Sequence, residues 1–156
     1  MQGVISTALL LIASVIAATA LINAVLPAAN KSSGALLAAN SVAADRIKTD
    51  IEIVHASGND TSDKITLWVK NIGTKNIAPI SASDLILTTP SDILRLSYVS
   101  GCSSGDCWDY FVEDSGSDWK QSVTVKFILS TTVTTGVYSI TISVVNAVSA
   151  ARDFSV

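Results

Sequence analysis

The N-terminal segment constrains this chain more than any other part of its 156 residues. Residues 4–29 carry no charged side chain, and the first charged residue is Lys31. As a helix that rises about 1.5 Å per residue, such a segment spans roughly 39 Å. That length exceeds the hydrocarbon layer of a membrane, which is about 30 Å thick. One end of the chain therefore requires an apolar environment, and the rest must be displayed outside it.

Three interpretations compete for this segment. A cleaved secretory signal would end at Ala18-Thr19-Ala20, although such signals have a basic start and a shorter apolar core. A membrane anchor is the second, and a pilin-like helix that moves from a membrane into a filament core is the third. Both environments suit an apolar helix whose backbone hydrogen bonds are internal. The side chains suited to lipid or to close helix packing are Ala13, Val15, Ala17, Ala18 and Leu21.

Helical periodicity continues beyond the uncharged segment. Apolar residues recur at helical spacing from Leu36 to Ile47, so we predict one helix to Lys48 that bends near Pro27 and ends as an amphipathic stalk. Basic residues that follow an apolar span favour a cytoplasmic location for the chain after that span. Here they are Lys31, Arg46 and Lys48, and the remainder of the chain argues for the opposite side.

After residue 48 the apolar period changes from 3.6 to 2. Ile51, Ile53 and His55 share one phase of a first strand, and turn-forming residues separate the later ones. Seven or eight short strands without helices between them predict an antiparallel sandwich or barrel, and we adopt the Ig-like β-sandwich. The fold class is then α+β, with residues 1–48 as helix and stalk and residues 49–156 as the β domain. The later strands are predicted at 65–69, 85–87, 93–99, 108–112, 122–129, 137–145 and 151–156.

Residues that carry chemistry are sparse. The chain has one histidine and two cysteines, too few for a structural zinc site, and nothing places a nucleophile beside His55. We therefore expect no enzymatic activity, no cofactor and no catalytic or metal site. The net charge of −3, without a basic cluster, also argues against nucleic acid as a partner.

Carboxylates concentrate in one part of the β domain. A calcium site at Asp114 and Asp118 is conceivable, but the spacing matches no EF-hand loop, and a solvated acidic rim is the favoured interpretation. The carboxylates in this part are Asp106, Asp109, Glu113, Asp114 and Asp118.

The two cysteines and two glycosylation motifs point to an exterior location. Cys102 and Cys107 bracket Ser-Ser-Gly-Asp, and a disulfide between them would form in an oxidising compartment; two free thiols are the alternative. Asn30-Lys31-Ser32 and Asn59-Asp60-Thr61 are N-glycosylation sequons. Together these features outweigh the basic residues at the end of the apolar segment, and we expect the β domain on the outer side.

An interface is predicted beside the acidic residues. Strand alternation places Trp108 and Tyr110 on one face and Asp109 and Phe111 on the other. One face must be core, so aromatic surface is left next to carboxylates, a composition typical of protein contacts. We expect these four residues and Asp114 to meet a neighbouring subunit or a surface layer.

The order of these parts resembles the archaeal flagellin superfamily. The resemblance is carried by the uncharged helix, by Arg46-Ile47-Lys48-Thr49-Asp50-Ile51-Glu52-Ile53, by Leu67-Trp68-Val69-Lys70-Asn71-Ile72-Gly73, and by Val137-Tyr138-Ser139-Ile140. Within it the chain is most similar to the FlaG/FlaF-type proteins of the archaellum, the archaeal motility filament. It lacks the basic leader with which archaellins and type IV pilins are made, which suits an unprocessed FlaG/FlaF protein or a mature subunit.

The resemblance implies a type IV pilin-like architecture and a non-enzymatic role. A FlaG/FlaF-type protein would work as a stator-like link between motor and surface layer. The alternatives are the filament subunit itself, an archaellin or pilin, and a membrane-anchored sandwich that binds a ligand. The implied partners are copies of the chain, other archaellum subunits, the membrane and the surface layer. The implied location is the archaeal cell surface, with the helix in membrane or filament core.

Overall fold

The computed structural model describes residues 2–114, 116 and 118–156. One α-helix is followed by eight β-strands, so the predicted α+β class is confirmed. By their internal contacts the residues form two compact units, 1–42 and 43–156. The last turns of the helix thus belong with the β domain. The boundary between the two units lies at residue 42, six residues before the boundary predicted at residue 48.

Helix α1 spans Gln2–Lys48 as a single element and contains Pro27. Alanine and leucine, both strong helix formers, dominate its sequence. Arg46 and Lys48 lie in the last turn, where positive charge is favourable beside the helix C-terminus. Hydroxyls within the apolar part bond to their own backbone; Thr19 Oγ1, for example, donates to Val15 O over 3.0 Å. These polar atoms therefore need no outside partner.

The strand bounds agree closely with the period-2 pattern. They differ from the predicted ends by two residues at most from β4 onward, and a short 3-10 helix at Ile80–Ala82 precedes β3. The strands are β1 Ile51–Asn59, β2 Lys64–Asn71, β3 Asp84–Thr88, β4 Ile93–Tyr98, β5 Cys107–Val112, β6 Thr124–Ser130, β7 Val137–Ser143 and β8 Ser149–Ser155.

The strands follow one another in the order β1-β2-β6-β5-β4-β3-β7-β8. Antiparallel pairs build two layers, β1-β2-β6-β5 and β4-β3-β7-β8. A short parallel pairing of β4 with β5, Ser97 opposite Cys107 and Tyr98 opposite Trp108, joins them. This parallel corner departs from the antiparallel pattern that we predicted throughout.

The core of the β domain contains a cluster of aromatic rings around Phe127 and a second, stacked pair formed by Tyr138 and Phe154. Phe127 is fully buried, and its ring centroid lies 5.5 Å from that of Trp108 and 5.7 Å from that of Trp119. Both indole N–H groups are satisfied, since Trp108 Nε1 donates to Leu96 O and Trp119 Nε1 to Val123 O. Large rings with paired polar atoms make this a well-determined core.

A β-bulge interrupts the first strand between Ile53 and His55. Ile51 and Ile53 face the core, but the extra residue turns His55 to the exposed side. The expectation that His55 shares the phase of the two isoleucines is therefore wrong, because a bulge shifts the alternation by one residue. The guanidinium of Arg152 on β8 donates to Ile53 O and Val54 O, both over 2.7 Å. It thus bridges β1 and β8 where their backbones are not paired.

Candidate interaction surfaces

The apolar part of α1 is an uncovered surface. Val15 is 61% exposed and Leu21 65% exposed, and Ala13, Ala17 and Ala18 are exposed beside them. Among the described residues this is the one helix long and apolar enough to cross a membrane. Exposed apolar surface of this extent requires lipid or other helices to cover it.

Strand β5 divides the four residues that we predicted as an interface. Trp108 is 1% exposed, and Tyr110 is half-buried on the same side, 6.5 Å from Phe127 between ring centroids. Phe111, in contrast, is 61% exposed. Trp108 is therefore a core residue, which corrects its assignment to a contact surface, whereas the outward placement of Phe111 and Asp109 agrees with the predicted alternation.

Asp109 of β5 accepts two hydrogen bonds, and burial affects the phenol of Tyr110. Asp109 Oδ2 accepts a hydrogen bond from Gly101 N and Oδ1 from Tyr110 N, both over 2.8 Å. Asp109 thus holds the loop that precedes β5. The pKa of Tyr110 is raised by burial first, and then by the nearby Tyr98 and Asp109. The phenol therefore stays neutral over a wider pH range than an exposed tyrosine.

Phe111 belongs to a row of side chains that crosses four strands. On the outer side of the β1-β2-β6-β5 layer, His55 pairs with Trp68, Trp68 with Lys126, and Lys126 with Phe111. The rings of His55 and Trp68 lie 5.4 Å apart, and Lys126 Nζ is 5.5 Å from the Trp68 ring. The aromatic side chains of this outer row are of the kind enriched at protein contacts.

Sequence reasoning nominated only Phe111 from this row. The signal for the others was present in the alternation, because Trp68 is out of phase with Leu67 and Val69 and must face outward when they face the core. Its meeting with Lys126 could not be read from the chain, since it depends on which strand lies beside β2.

The acidic residues do not converge. Glu113 and Asp114 are exposed, Asp118 lies 3.7 Å from Lys120 Nζ, and Asp106 accepts a hydrogen bond from Thr131 Oγ1 over 2.8 Å. Within the described part of the chain, no group of three or more His, Cys, Asp or Glu side chains is placed to hold a metal ion.

Cys102 and Cys107 are joined by a disulfide with an S–S distance of 2.03 Å. They close the loop before β5, in which Gly101 and Gly105 adopt positive φ angles of 75° and 86°. This loop borders a cleft of about 400 Å³ that is lined by serine, threonine, aspartate and glycine.

The two sequons occupy different local structures. Asn59 is the exposed last residue of β1, and its Oδ1 accepts hydrogen bonds from Thr61 N and Ser62 N of the following turn over 2.9 and 3.0 Å. Asn30 is an exposed residue of α1. Glycosylation at either position stays a prediction.

The Asn71-Ile72-Gly73 motif connects the helix end to the β domain. Asn71 is fully buried, and its Nδ2 donates to Lys75 O and Trp119 O over 2.8 and 3.0 Å. Gly73 lies so close to the chain after the helix that a Cβ there would sit 2.5 Å from Lys48 O. Lys48 O in turn accepts hydrogen bonds from Thr74 N and Lys75 N. The motif is therefore a structural joint that admits only glycine at its third position.

Comparison with known proteins agrees with this architecture. Two solved structures from Sulfolobus acidocaldarius share the fold. The archaellum periplasmic stator protein FlaG has a TM-score of 0.56 and 19% identity, over 68% of this chain and 99% of that chain. The archaellum periplasmic stator complex of FlaF and FlaG has a TM-score of 0.55 and 20% identity, over 67% of this chain and 87% of that chain. At these identities the likeness concerns the fold.

Sequence comparison extends over most of the chain. An uncharacterized protein of Archaeoglobus fulgidus is 30% identical over 129 residues, which make up 80% of this chain and 78% of that protein. Residues 2–155 match the archaeal-type flagellin family, and they include both the apolar helix and all eight strands. The chain belongs to the archaeal-type flagellin family.

Proposed function

We propose that this protein is a non-enzymatic component of the archaellum of the FlaG/FlaF type. In this role α1 lies in the membrane or in the filament core, and the β domain lies outside the membrane. The family membership and the fold shared with FlaG support the proposal.

One observation carries this proposal. A helix with an uncovered apolar surface is joined to a β domain that buries its own core. The β domain needs no helix to hide its apolar residues, so the helix serves something outside the chain. An apolar helix joined to a self-contained β domain suits a structural protein that is anchored by the helix and displays the β domain.

The side chains of the β domain support a non-enzymatic role. His55 is the one histidine of the chain, and it is exposed and placed against the Trp68 ring. The titratable groups near it on the outer row are limited to Lys126, whose amine faces the same ring. Such an arrangement suits contact with a partner rather than proton transfer to a substrate.

The filament-forming subunit is the second candidate function. The alanines of α1, including Ala13, Ala17 and Ala18, leave small exposed faces that permit close packing of neighbouring helices. A filament subunit is made in far more copies than a stator. Electron microscopy of sheared surface filaments, followed by mass spectrometry, separates the two: this chain as the major filament protein would establish the subunit and exclude the stator.

The proposed function is tested by placing one charge in α1. Val15→Asp puts a carboxylate in the apolar environment at a cost of about 3 kcal/mol, and we expect loss of membrane retention and of swimming in the archaeal host. Val15→Leu is the matched control and should swim normally. A Val15→Asp strain that swims and fractionates with the membrane would exclude the anchoring role.

A further inference from the structure

The outer side of β2 and β6 carries three lysines that form no ion pair with another residue that the structure describes. Lys64, Lys70 and Lys126 lie on the same side as Trp68, with Lys126 directly opposite it and Lys64 and Lys70 farther along β2. Glu52 stands opposite Lys70 in the strand register and offsets one charge at most. We call Lys64, Trp68, Lys70 and Lys126 the basic face.

Negative charge without a partner lies at the end of β5. Glu113 and Asp114 are exposed and form no ion pair among the residues that the structure describes. They directly follow the β5 strand, whose Phe111 is 61% exposed. We call Phe111, Glu113 and Asp114 the acidic edge.

We propose that the basic face of one copy binds the acidic edge of a second copy. The two surfaces have opposite charge, and each offers an aromatic ring beside its charges, Trp68 on one and Phe111 on the other. A polar rim around an exposed ring is the composition of contact sites that contribute most of their binding energy through the ring.

The basic face and the acidic edge adjoin on the outer side of one layer, since Phe111 stands opposite Lys126 in the strand register. Two copies whose outer sides meet can therefore pair basic face with acidic edge twice, which closes an isologous pair of β domains.

Exposed ion pairs are individually weak, so this contact depends on copies that α1 already holds together. In this respect it rests on the proposed function. The basic face would then order neighbouring β domains whose helices share one membrane or one filament core.

The test uses the full chain in vesicles of neutral phosphatidylcholine, which offer no anionic lipid to the lysines. Unlabelled and ¹⁵N-labelled copies are mixed before reconstitution and treated with a carbodiimide, which joins amines to carboxylates at contact distance. We expect peptides of mixed isotope composition that join Lys70 or Lys126 to Glu113 or Asp114. Isotope mixing is required because Glu113 also lies beside β6 of its own chain, where its N–H donates to Thr124 O. Cross-links within one copy must therefore be distinguished from cross-links between copies.

Charge reversal gives the second arm of the test. Lys126→Glu should lower the yield of mixed peptides through Lys70 about fivefold, since it replaces an attraction by a repulsion; only the Lys70 peptides are compared, because the substitution also removes the amine at position 126. Mixing Lys126→Glu copies with copies that carry Glu113→Lys and Asp114→Lys should give mixed peptides that join the new carboxylate at position 126 to the new amines at positions 113 and 114. The control for charge is Asp153→Lys, a change of the same size and opposite sign at an exposed position on β8, which should leave the yield unchanged. Thermal midpoints verify that each variant is folded.

Cross-linked peptides of pure isotope composition alone would overturn the proposal, as would mixed peptides that persist in Lys126→Glu. These results are independent of swimming. A chain that cross-links as expected while its deletion leaves motility intact would exclude the archaellum role and retain the contact.

Discussion

The helix and the β domain treat their apolar side chains in opposite ways: the β domain buries them and the helix exposes them. Both are rich in apolar side chains, but the β domain buries residues such as Phe127 and Leu67 completely, whereas Leu21 of α1 is 65% exposed. A period of 2 gives each strand one buried and one exposed side. The apolar part of α1 is apolar on all sides, so no packing against a single layer could cover it.

This difference assigns stability and assembly to separate parts of the chain. Changes within the β core should alter the stability of the β domain, and changes within residues 4–29 should alter retention and assembly while the β domain stays folded. All three tryptophans, Trp68, Trp108 and Trp119, lie in the β domain. Tryptophan fluorescence of the full chain in detergent micelles therefore reports the β domain alone.

The largest effect is expected from Phe127→Ala. Phe127 is 0% exposed among three aromatic neighbours, and its truncation should cost about 3–5 kcal/mol. The thermal midpoint should fall by about 12–20 °C. Leu21→Ala, which truncates an exposed apolar side chain of the helix, should leave the midpoint unchanged. Equal falls for both variants would show that the helix and the β domain unfold together.

The disulfide is expected to contribute less. Because it closes a short loop, replacing Cys102 and Cys107 by serine should cost about 2 kcal/mol, seen as a lower midpoint. Reducing agent should produce the same fall in the parent chain and none in the double variant. The intact mass under non-reducing conditions should lie two hydrogen atoms below the reduced mass. Full alkylation by iodoacetamide without prior reduction would show free thiols instead.

The end of α1 tests where the β domain begins. Asp45 forms an ion pair with Lys75, and Thr49 Oγ1 donates to Asp45 O over 2.8 Å. A chain of residues 43–156 should be soluble and rich in β structure by far-UV circular dichroism. Residues 49–156 should keep the same spectrum but lose about 1–2 kcal/mol, through this ion pair and the hydrogen bonds to Lys48 O.

Equal midpoints for the two fragments would place the domain boundary at residue 48, the position that the change of period predicts. A spectrum dominated by helix in either fragment would contradict the sandwich.

Local periodicity predicted the elements, but it could not predict their neighbours. The strands at Ile65–Val69 and at 137–145 were visible because each alternates apolar and polar side chains over a full face. The parallel corner of β4 and β5 was not, since pairing between distant strands leaves no local pattern. The outer row was missed for the same reason, as Lys126 lies beside Trp68 only once β6 pairs with β2.

The bulge at Ile53 shows a different limit. Alternation assigned His55 to the core side, and a single inserted residue reversed that assignment. The carbonyls of Ile53 and Val54 accept from Arg152, which is 98 residues or more away along the chain. An extra residue in one strand and a distant guanidinium that satisfies it cannot be recognised from either segment alone.

The smallest expected effect is that of pH, which should change the stability of the β domain but not the membrane retention of the helix. Burial raises the pKa of Tyr110, with Tyr98 and Asp109 adding to the shift. An unfolded tyrosine ionises near pH 10, before the folded one, so the folded state holds its proton where the unfolded state has lost it. The resulting stability is fully present below about pH 10 and is lost as the pH rises through the folded pKa.

Tyr110→Phe should therefore flatten the fall of the thermal midpoint above about pH 10, measured by tryptophan fluorescence. Parallel curves for Tyr110→Phe and the parent chain would show that Tyr110 does not contribute to this fall. Residues 2–30 contain no titratable side chain, so membrane retention of the full chain should not change over the same range. A loss of retention that tracks the β domain's midpoint would mean that a folded β domain is needed to hold the helix in place, and the two parts would then not be independent.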